Sequence, residues 1–289
     1  MMKKMHKLVH MFRKSKEEDF TLVKSEYGEY VKIEKNISDS HKLKLFLETK
    51  GIKHVVLSEK LTNLQFLKEI SSHLTKLICV HNVTCDFKIL EELTELKHLY
   101  LEEFNSKSQV INMKYLQNLE YLNVKWSKKM IGLNHLENLK ELELRGVSIE
   151  NLESTYLPKN LRQLTFIDAN LISLECISNL MYLEEMTLYN LKRIRGIEAI
   201  SNCHQLRKLT IEKCKLMSGI SGLESLHHLE ELNLINCGEI NSLLPISNSK
   251  SLQFLRILGS TKIIDVKVDY LQSINTVIAH GLKKYLRQR

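Results

Sequence analysis

The pattern Leu-x-x-Leu-x-Leu, in which other apolar residues can replace leucine, recurs along most of the chain at a nearly constant spacing. Clear copies are LKHLYL, LEYLNV, LKELEL, LRQLTF, LEEMTL, LRKLTI, LEELNL and LQFLRI, which begin at residues 96, 119, 139, 161, 183, 206, 229 and 252. Looser copies, IKHVVL, LTKLIC and INTVIA, begin at residues 52, 74 and 274. Successive copies start 20 to 23 residues apart, so the sequence predicts eleven structural repeats.

The spacing of leucines inside one repeat predicts its backbone. In GLESLHHLEELNL, four leucines from Leu223 to Leu232 lie three residues apart, and Leu234 follows after only two. A spacing of three suits a 3₁₀ or irregular helical segment, whereas a spacing of two suits a short strand. One such coil cannot enclose a core, but each stacked neighbour covers the leucines of the next. The sequence therefore predicts a stack of coils with parallel strands along one side.

The run Ile-x-x-Leu-x-x-Leu-x-x-Leu-x-Leu ahead of each strand resembles the leucine-rich repeats of internalins and phosphatase-regulatory proteins. The resemblance covers roughly residues 50–280. It implies an α/β leucine-rich repeat solenoid, a curved horseshoe of about eleven repeats. Its parallel sheet would form the concave face, and 3₁₀ or irregular segments would form the convex side. The resemblance specifies a fold and leaves the function open.

In leucine-rich repeats the ninth position usually holds Asn or Cys, whose side chain binds the backbone of the turn that leaves the strand. Here the ninth positions are Lys60, Asn82, Phe104, Ser127, Val147, Ala169, Leu191, Cys214, Cys237 and Ser260. Because the polar ladder is interrupted, we predict that these turns vary in shape.

The ends of the chain differ from the repeats. We assign residues 1–50 to an N-terminal basic segment and capping hairpin, 51–280 to the repeats, and 281–289 to a basic C-terminal cap or tail. The hairpin is predicted over Phe20–Ile33, around a Tyr-Gly turn. Residues 1–16 carry apolar residues at helical spacing among lysines, which predicts an amphipathic helix. Two roles stay open for it: capping the first repeat, or contacting an anionic membrane or acidic partner.

The net charge of +8 arises at the two ends of the chain. Residues 1–16 contain six Lys or Arg and residues 281–289 contain four, and neither segment contains an acidic residue. Without these ten, 32 basic residues face 34 acidic ones, so the repeats are close to neutral. A nucleic-acid groove needs a stripe of one sign. We therefore do not expect the repeats to bind nucleic acid.

The compartment is predicted from the start of the chain and from its cysteines. The stretch MMKKMHKLVHMFRKSK is basic, but no uninterrupted apolar segment of a signal peptide follows it. No run is long and apolar enough to cross a bilayer. The six cysteines therefore fit reduced thiols better than a disulfide framework, and we expect a cytoplasmic protein.

Signatures of catalysis and of metal binding are missing from the sequence. It contains no phosphate-binding loop, nucleophile elbow, HExxH pair or kinase motif set. Cys79 and Cys85 lack a second pair at zinc spacing. Cys214 and Cys237 occupy equivalent positions of adjacent repeats, where two buried thiols are a simpler interpretation than a redox pair. We expect no enzyme activity, no cofactor and no metal.

Binding residues are expected at the positions of each strand that alternate with the leucines. The third, fifth, seventh and eighth positions should face the concave surface, and they carry aromatic and charged side chains typical of binding hot spots. The candidate partner-binding residues are His98, Tyr100, Glu102, Tyr121, Asn123, Lys125, Trp126, Glu143, Arg145 and Tyr189. We place the centre of the surface at Tyr100, Tyr121, Lys125, Trp126 and Arg145. The alternative for Trp126 is packing against the turn that leaves its strand.

The function that this pattern favours is a monomeric, non-catalytic scaffold that binds a protein partner through its concave sheet, without a small-molecule substrate. A second hypothesis is an inhibitor or immunity-type protein that neutralises an enzyme or toxin. A third is an adaptor associated with a membrane or nucleic acid through its basic tails. Mixed charge along the strands favours a folded protein partner over nucleic acid.

Overall fold

The computed structural model describes residues 13–16, 19–25, 28–58, 61–80, 86–102, 109–265 and 269–279. The chain divides into two compact units, Met1–Asn138 and Leu139–Arg289, which we call unit one and unit two. Each is a series of strands joined by turns and short helical segments.

The strands and helices of unit one are short. Its described strands are β1 (Arg13–Lys16), β2 (Phe20–Ser25), β3 (Gly28–Ile33), β4 (His54–Leu57), β5 (Lys76–Cys79), β6 (His98–Leu101), β7 (Ile111–Asn112), β8 (Tyr121–Lys125) and β9 (Met130–Ile131). Its α-helices are α1 (Ser40–Lys50) and α2 (Leu67–Ile70), and its 3₁₀ helices are Phe87–Glu92, Met113–Tyr115 and Leu133–His135. Strands β1, β2 and β3 are antiparallel, and β3, β4, β5, β6 and β8 follow in parallel. Strands β7 and β9 form a separate parallel pair.

Unit two is more regular. Its described strands are β10 (Glu141–Arg145), β11 (Gln163–Ile167), β12 (Glu185–Tyr189), β13 (Lys208–Glu212), β14 (Glu231–Ile235), β15 (Glu239–Ser242), β16 (Phe254–Leu258), β17 (Lys262–Asp265) and β18 (Thr276–Ala279). Its 3₁₀ helices are Glu175–Ile177, Glu198–Asn202, Leu223–Ser225, Leu244–Ile246 and Asp269–Ser273. Strands β10, β11, β12, β13, β14, β16 and β18 pair in parallel in this order, and β15 pairs with β17.

Every predicted repeat contains one strand of these parallel series, and each strand begins at the third position of its repeat. The eleven strands are β4, β5, β6, β8, β10, β11, β12, β13, β14, β16 and β18. Within each unit the repeats are 22 or 23 residues long, and they keep this phase because each strand pairs residue for residue with the next. The predicted leucine-rich repeat solenoid with a parallel sheet is confirmed.

The core is formed by two columns of aliphatic side chains that run through the coils. In unit two one column pairs Leu142, Leu164, Met186, Leu209, Leu232 and Leu255, and the other pairs Leu144, Phe166, Leu188, Ile211, Leu234 and Ile257. All twelve side chains are at most 2% exposed. Burial of that apolar area, at about 25 cal/mol per Å², is the main force that stacks one coil on the next.

The turns that leave the strands of unit two share one conformation. The residue at the eighth repeat position has a positive φ in six successive repeats, at Gly146, Asp168, Asn190, Lys213, Asn236 and Gly259. In the first five of these the backbone N–H donates to the last carbonyl of the next strand at 2.8–3.0 Å. Glycine, Asn and Asp tolerate this left-handed conformation better than other residues, which suits five of the six positions. The prediction of variable turns is therefore wrong for the turns after β10, β11, β12, β13 and β14.

Buried polar atoms replace the expected ladder of asparagines in the last turns of unit two. Cys214 and Cys237 donate their thiols to strand-exit carbonyls, for example Cys237 Sγ to Ile211 O at 3.3 Å. In the next repeat Thr261, and not Ser260, occupies the buried position: its hydroxyl accepts from Cys237 N at 2.9 Å and donates to Leu234 O at 3.2 Å.

The N-terminal hairpin over Phe20–Ile33 is present as β2 and β3, and β3 lies in parallel beside β4, the first repeat strand. The predicted helix over residues 1–16 is wrong at Arg13–Lys16, which pair with β2 as strand β1. Residues 1–12 and the predicted cap at 281–289 lie outside the described residues. No helix in the described ranges is long and apolar enough to span a membrane.

Candidate functional site

Alternation along the parallel strands of unit one leaves one side of the sheet uncovered by the leucine core. In β4, for example, Val55 and Leu57 are fully buried while His54 and Val56 are not. The register places the outward residues in two rows that cross the strands. The first row is Tyr30, His54, Lys76, His98 and Tyr121, and the second is Lys32, Val56, Ile78, Tyr100 and Asn123. We call these ten residues the unit-one strand face.

The first row combines two imidazoles and an amine between two phenols. The rings of His98 and Tyr121 lie 6.1 Å apart at an angle of 36°. Desolvation against the sheet, followed by the charges of Lys76 and His98, lowers the pKa of His54. Desolvation and the charge of Lys76 lower the pKa of His98, against the opposing effect of Glu120. Desolvation also lowers the pKa of Lys76. The row thus holds three basic groups whose positive charge is costly when no anion is present.

The second row is more deeply buried and forms a floor beside the first. Ile78 is 9% exposed, Tyr100 8% and Asn123 2%. The side-chain amide of Asn123 donates to the hydroxyl of Tyr121 at 3.4 Å. Its Oδ1 has no hydrogen-bond partner among the described residues, an arrangement that typically costs about 1–3 kcal/mol. Across the sheet, the surface therefore changes from half-exposed basic groups and rings to the buried side chains of Ile78, Tyr100 and Asn123.

Seven of the ten sequence-predicted binding residues lie in unit one. His98, Tyr100, Tyr121 and Asn123 come together, because the register aligns His98 with Tyr121 and Tyr100 with Asn123. Glu102 follows β6 and is half-buried, and Lys125 ends β8 and is exposed. Trp126 was expected at an exposed position but is only 9% exposed, and its Nε1 has no partner among the described residues. Its burial corresponds to the alternative of packing at the strand exit.

The other three predicted residues lie in unit two, where Tyr189 is separated from Glu143 and Arg145 by one strand. Glu143 and Arg145 are half-buried on β10, whereas Tyr189 ends β12. The register places Ile167 of β11 between Arg145 and Tyr189. Tyr189 instead contacts Lys213, whose Nζ lies 4.6 Å from the ring centroid and donates to the hydroxyl.

Sequence reasoning missed Tyr30, His54 and Lys76. His54 and Lys76 occupy the third position of the two loosest N-terminal copies of the repeat, IKHVVL and LTKLIC. Reading the third position of these two copies, as was done for the later repeats, would have identified both residues. Tyr30 had no such signal, because it belongs to the hairpin and enters the row only through the pairing of β3 with β4.

Unit two presents a different outward surface, in which opposite charges pair. At the third repeat position Lys208 Nζ lies 3.3 Å from Glu231 Oε2 of the next strand. Arg256 approaches the other oxygen of Glu231 at 2.5 Å, and Asn233 donates to the same oxygen at 3.0 Å. Burial alone would raise the pKa of Glu231, but the hydrogen bond from Asn233 and the two cations lower it. In this network both cations are paired with the carboxylate of Glu231, whereas Lys76 in the first row of the unit-one strand face has no such ion pair among the described residues.

The thiols have no catalytic geometry in the described part of the chain. Burial raises the pKa of Cys176, Cys203 and Cys214 to about 12 and raises that of Cys237 as well. A protonated, buried thiol is a poor nucleophile. No group of three or more His, Cys, Asp or Glu side chains among the described residues is arranged to hold a metal ion.

Solved structures of known proteins share this architecture. An internalin, InlF, from Listeria monocytogenes is similar with a TM-score of 0.62 and 20% sequence identity, over 80% of this chain and 68% of that one. A complex of TLR13 with the single-stranded RNA ssRNA13 is similar with a TM-score of 0.61 and 19% identity, over 86% of this chain but only 39% of that one. No protein-family model and no curated protein matches the sequence. The chain has the leucine-rich repeat fold, similar to that of an internalin.

The lowered histidine pKa values predict a loss of stability in acid. At a pH between the lowered folded-state pKa and the ordinary value of 6.5, the unfolded chain binds more protons at His54 and His98 than the folded chain does. The contribution to stability is therefore complete above pH 6.5 and is lost as the pH falls. We expect the urea midpoint to decrease from pH 7.5 to 5.5, and to decrease less in the double variant His54→Gln/His98→Gln. Equal decreases in both proteins would contradict the assignment.

Proposed function

We propose that the protein is a non-catalytic binding protein that docks a protein partner on the unit-one strand face. The observation that carries the proposal is the half-exposed Tyr121 ring beside His98, set on paired strands next to the apolar strip of Ile78 and Tyr100. Rigid aromatic area gives a large contact at small entropic cost, and a preformed sheet loses little freedom on docking. These are the properties of a binding hot spot.

A protein partner is favoured over a nucleic acid by the distribution of charge. The similar TLR13 structure contains an RNA, but phosphate binding requires a stripe of one sign. Around the unit-one strand face, Lys32 pairs with Glu34 and Lys97 pairs with Glu120. A mixed polar and aromatic surface matches a protein interface better.

The test is Tyr121→Ala, compared with Tyr115→Ala as a matched control. Tyr115 is 45% exposed and ends the 3₁₀ helix Met113–Tyr115 of the same unit, away from the strand positions. The native partner is captured by affinity purification from the source cell, identified by mass spectrometry, and titrated as a pure protein by calorimetry. We expect Tyr121→Ala to raise Kd at least tenfold, which corresponds to about 1.4 kcal/mol, and Tyr115→Ala to leave Kd unchanged.

Melting temperatures of both variants separate binding from folding. A weaker complex counts only if Tyr121→Ala melts within a few degrees of the wild type, since a misfolded sheet would bind nothing. Unchanged affinity in Tyr121→Ala would refute the assignment of the site. The identity of the captured protein also decides the inhibitor hypothesis, which requires an enzyme or toxin that loses activity in the complex.

A further inference from the structure

We propose that the unit-one strand face recognises an acidic segment of its protein partner, and that binding tightens as the pH falls from about 7.5 to 5.5 because His54 and His98 become protonated beside Lys76. This inference rests on the proposed function and adds the chemistry of the partner and the condition under which it binds.

The first argument is the position of the three basic groups. The register places Lys76 between His54 and His98 on adjacent parallel strands, and neighbouring strands lie about 4.8 Å apart. No carboxylate of the described residues forms an ion pair with Lys76, the central group. The equivalent lysine of unit two, Lys208, is neutralised by Glu231. A row of basic groups whose central lysine has no counter-ion among the described residues is complementary to carboxylates supplied from outside.

The second argument is that the charges around the row largely neutralise one another. Next to His54, β3 contributes Tyr30 and Lys32, and Lys32 is paired with Glu34 at 2.5 Å. Next to His98, β8 contributes Tyr121, and the preceding residues supply Glu120 and Lys97, which pair at 3.2 Å. Glu102 follows β6, four residues beyond His98, and is not among the charges that shift the pKa of His98. The local excess of positive charge therefore comes from Lys76 and, once protonated, from the two histidines.

The third argument concerns protonation. Because the pKa values of His54 and His98 are lowered, both imidazoles are mainly neutral at pH 7.5. A bound carboxylate favours the charged form and raises those pKa values, so binding takes up protons. Linkage then requires affinity to increase as the pH falls, up to tenfold for each histidine whose pKa rises by one unit. We expect a gain of about tenfold.

The spacing of the row also specifies the segment. His54 and His98 lie two strands apart, about 9.6 Å along the row. A polyproline II helix advances about 9.3 Å in three residues and returns every third side chain to the same face. An acidic residue at every third position of such a segment therefore presents successive carboxylates to the two histidines. Tyr30 and Tyr121 would flank this segment at the ends of the row.

The experiment uses the full chain and fluorescence anisotropy with a labelled (Glu-Pro-Pro)4 peptide at pH 7.5 and 5.5. A (Gln-Pro-Pro)4 peptide controls for charge, and a twelve-nucleotide single-stranded oligouridine controls for general anion binding. We expect the Glu peptide to bind about ten times more tightly at pH 5.5, and the Gln peptide to bind weakly at both pH values. The double variant His54→Gln/His98→Gln should lose the gain in acid, so that its own Kd at pH 5.5 stays within about twofold of its own Kd at pH 7.5.

The central lysine supplies the decisive comparison. Lys76→Gln should weaken binding of the Glu peptide about tenfold at both pH values, whereas Lys208→Gln, at the equivalent position of unit two, should not. Lys76→Met gives a second test if the amide destabilises the protein, and thermal melts accompany every variant. Equal binding by Lys76→Gln and the wild type would overturn the proposal, since the peptide would then lie on the basic tails. A Lys76-dependent affinity for RNA exceeding that for the peptide would overturn it too.

The native partner separates this inference from the proposed function. If Tyr121→Ala releases the partner but Lys76→Gln and a lower pH leave the affinity for the partner unchanged, the assignment of the binding face is supported. The proposal that the face recognises an acidic segment is then wrong. If Tyr121→Ala leaves the partner bound, the binding face itself is wrong.

Discussion

The variant Phe166→Ala is expected to lower the free energy of unfolding by about 3–5 kcal/mol. Phe166 is fully buried in unit two, at a repeat position where its two neighbours in the column are Leu144 and Leu188. Its ring fills the space between three coils, so that truncation removes apolar contact and leaves a cavity lined by both neighbours. The coils cannot close around this cavity without breaking the register of their paired backbones.

The control for Phe166→Ala is Thr165→Ala, one residue earlier on the same strand. Thr165 points to the other side of β11 and is half-buried, so its loss should change stability by less than about 1 kcal/mol. Urea denaturation followed by circular dichroism measures both variants. Similar midpoints for the two variants would show that the aliphatic columns do not carry the stability of the stack, and that the solenoid interpretation of the core is mistaken.

The fold was predictable from the sequence because the repeat period appears in the residues that the core buries. Each predicted copy of the pattern locates the start of a strand to the residue, from His54 of β4 to Thr276 of β18. A slip of one residue would turn every leucine of that strand outward. The pattern therefore specifies both the existence of a strand and the side of the sheet on which each residue lies.

The turns and the ends were less predictable, because backbone and local contacts decide them. Residues as different as Lys213, Asn236 and Gly259 share a left-handed turn. The N–H group of each of the first two is fixed by the next coil, at 2.9 Å for Lys213 N and Ile235 O. The side chain alone does not reveal that bond. A hydroxyl one residue further on, in Thr261, provides the buried contact that the ninth position supplies elsewhere.

The candidate site was predictable in part. Alternation along β6 and β8 correctly brings His98 to Tyr121 and Tyr100 to Asn123. How deeply each outward residue is buried depends on its neighbours across the strands, which a single repeat does not contain. This is why Asn123, a polar residue at an outward position, is almost completely buried while His98 remains exposed.

Trp126 offers the second large effect, because its burial makes packing and partner binding separable. The variant Trp126→Ala should lose about 3–5 kcal/mol of stability, since it empties the space of an indole that is only 9% exposed. The variant Trp126→Phe keeps an aromatic ring and removes an Nε1–H that has no partner among the described residues. The Trp126→Phe variant should therefore lose much less stability, about 1 kcal/mol. Thermal melts and urea denaturation measure both.

Affinity for the native partner then distinguishes the two roles of Trp126. If the indole packs at the strand exit, Trp126→Phe restores the melting temperature and the Kd together, because the ring then stabilises the fold without reaching the partner. If the indole is itself a hot spot, Trp126→Phe melts like the wild type but binds more than tenfold more weakly. The burial of Trp126 predicts the first outcome. A Trp126→Ala variant that retained both its melting temperature and its partner would contradict both roles, since neither the core nor the interface would then need the ring.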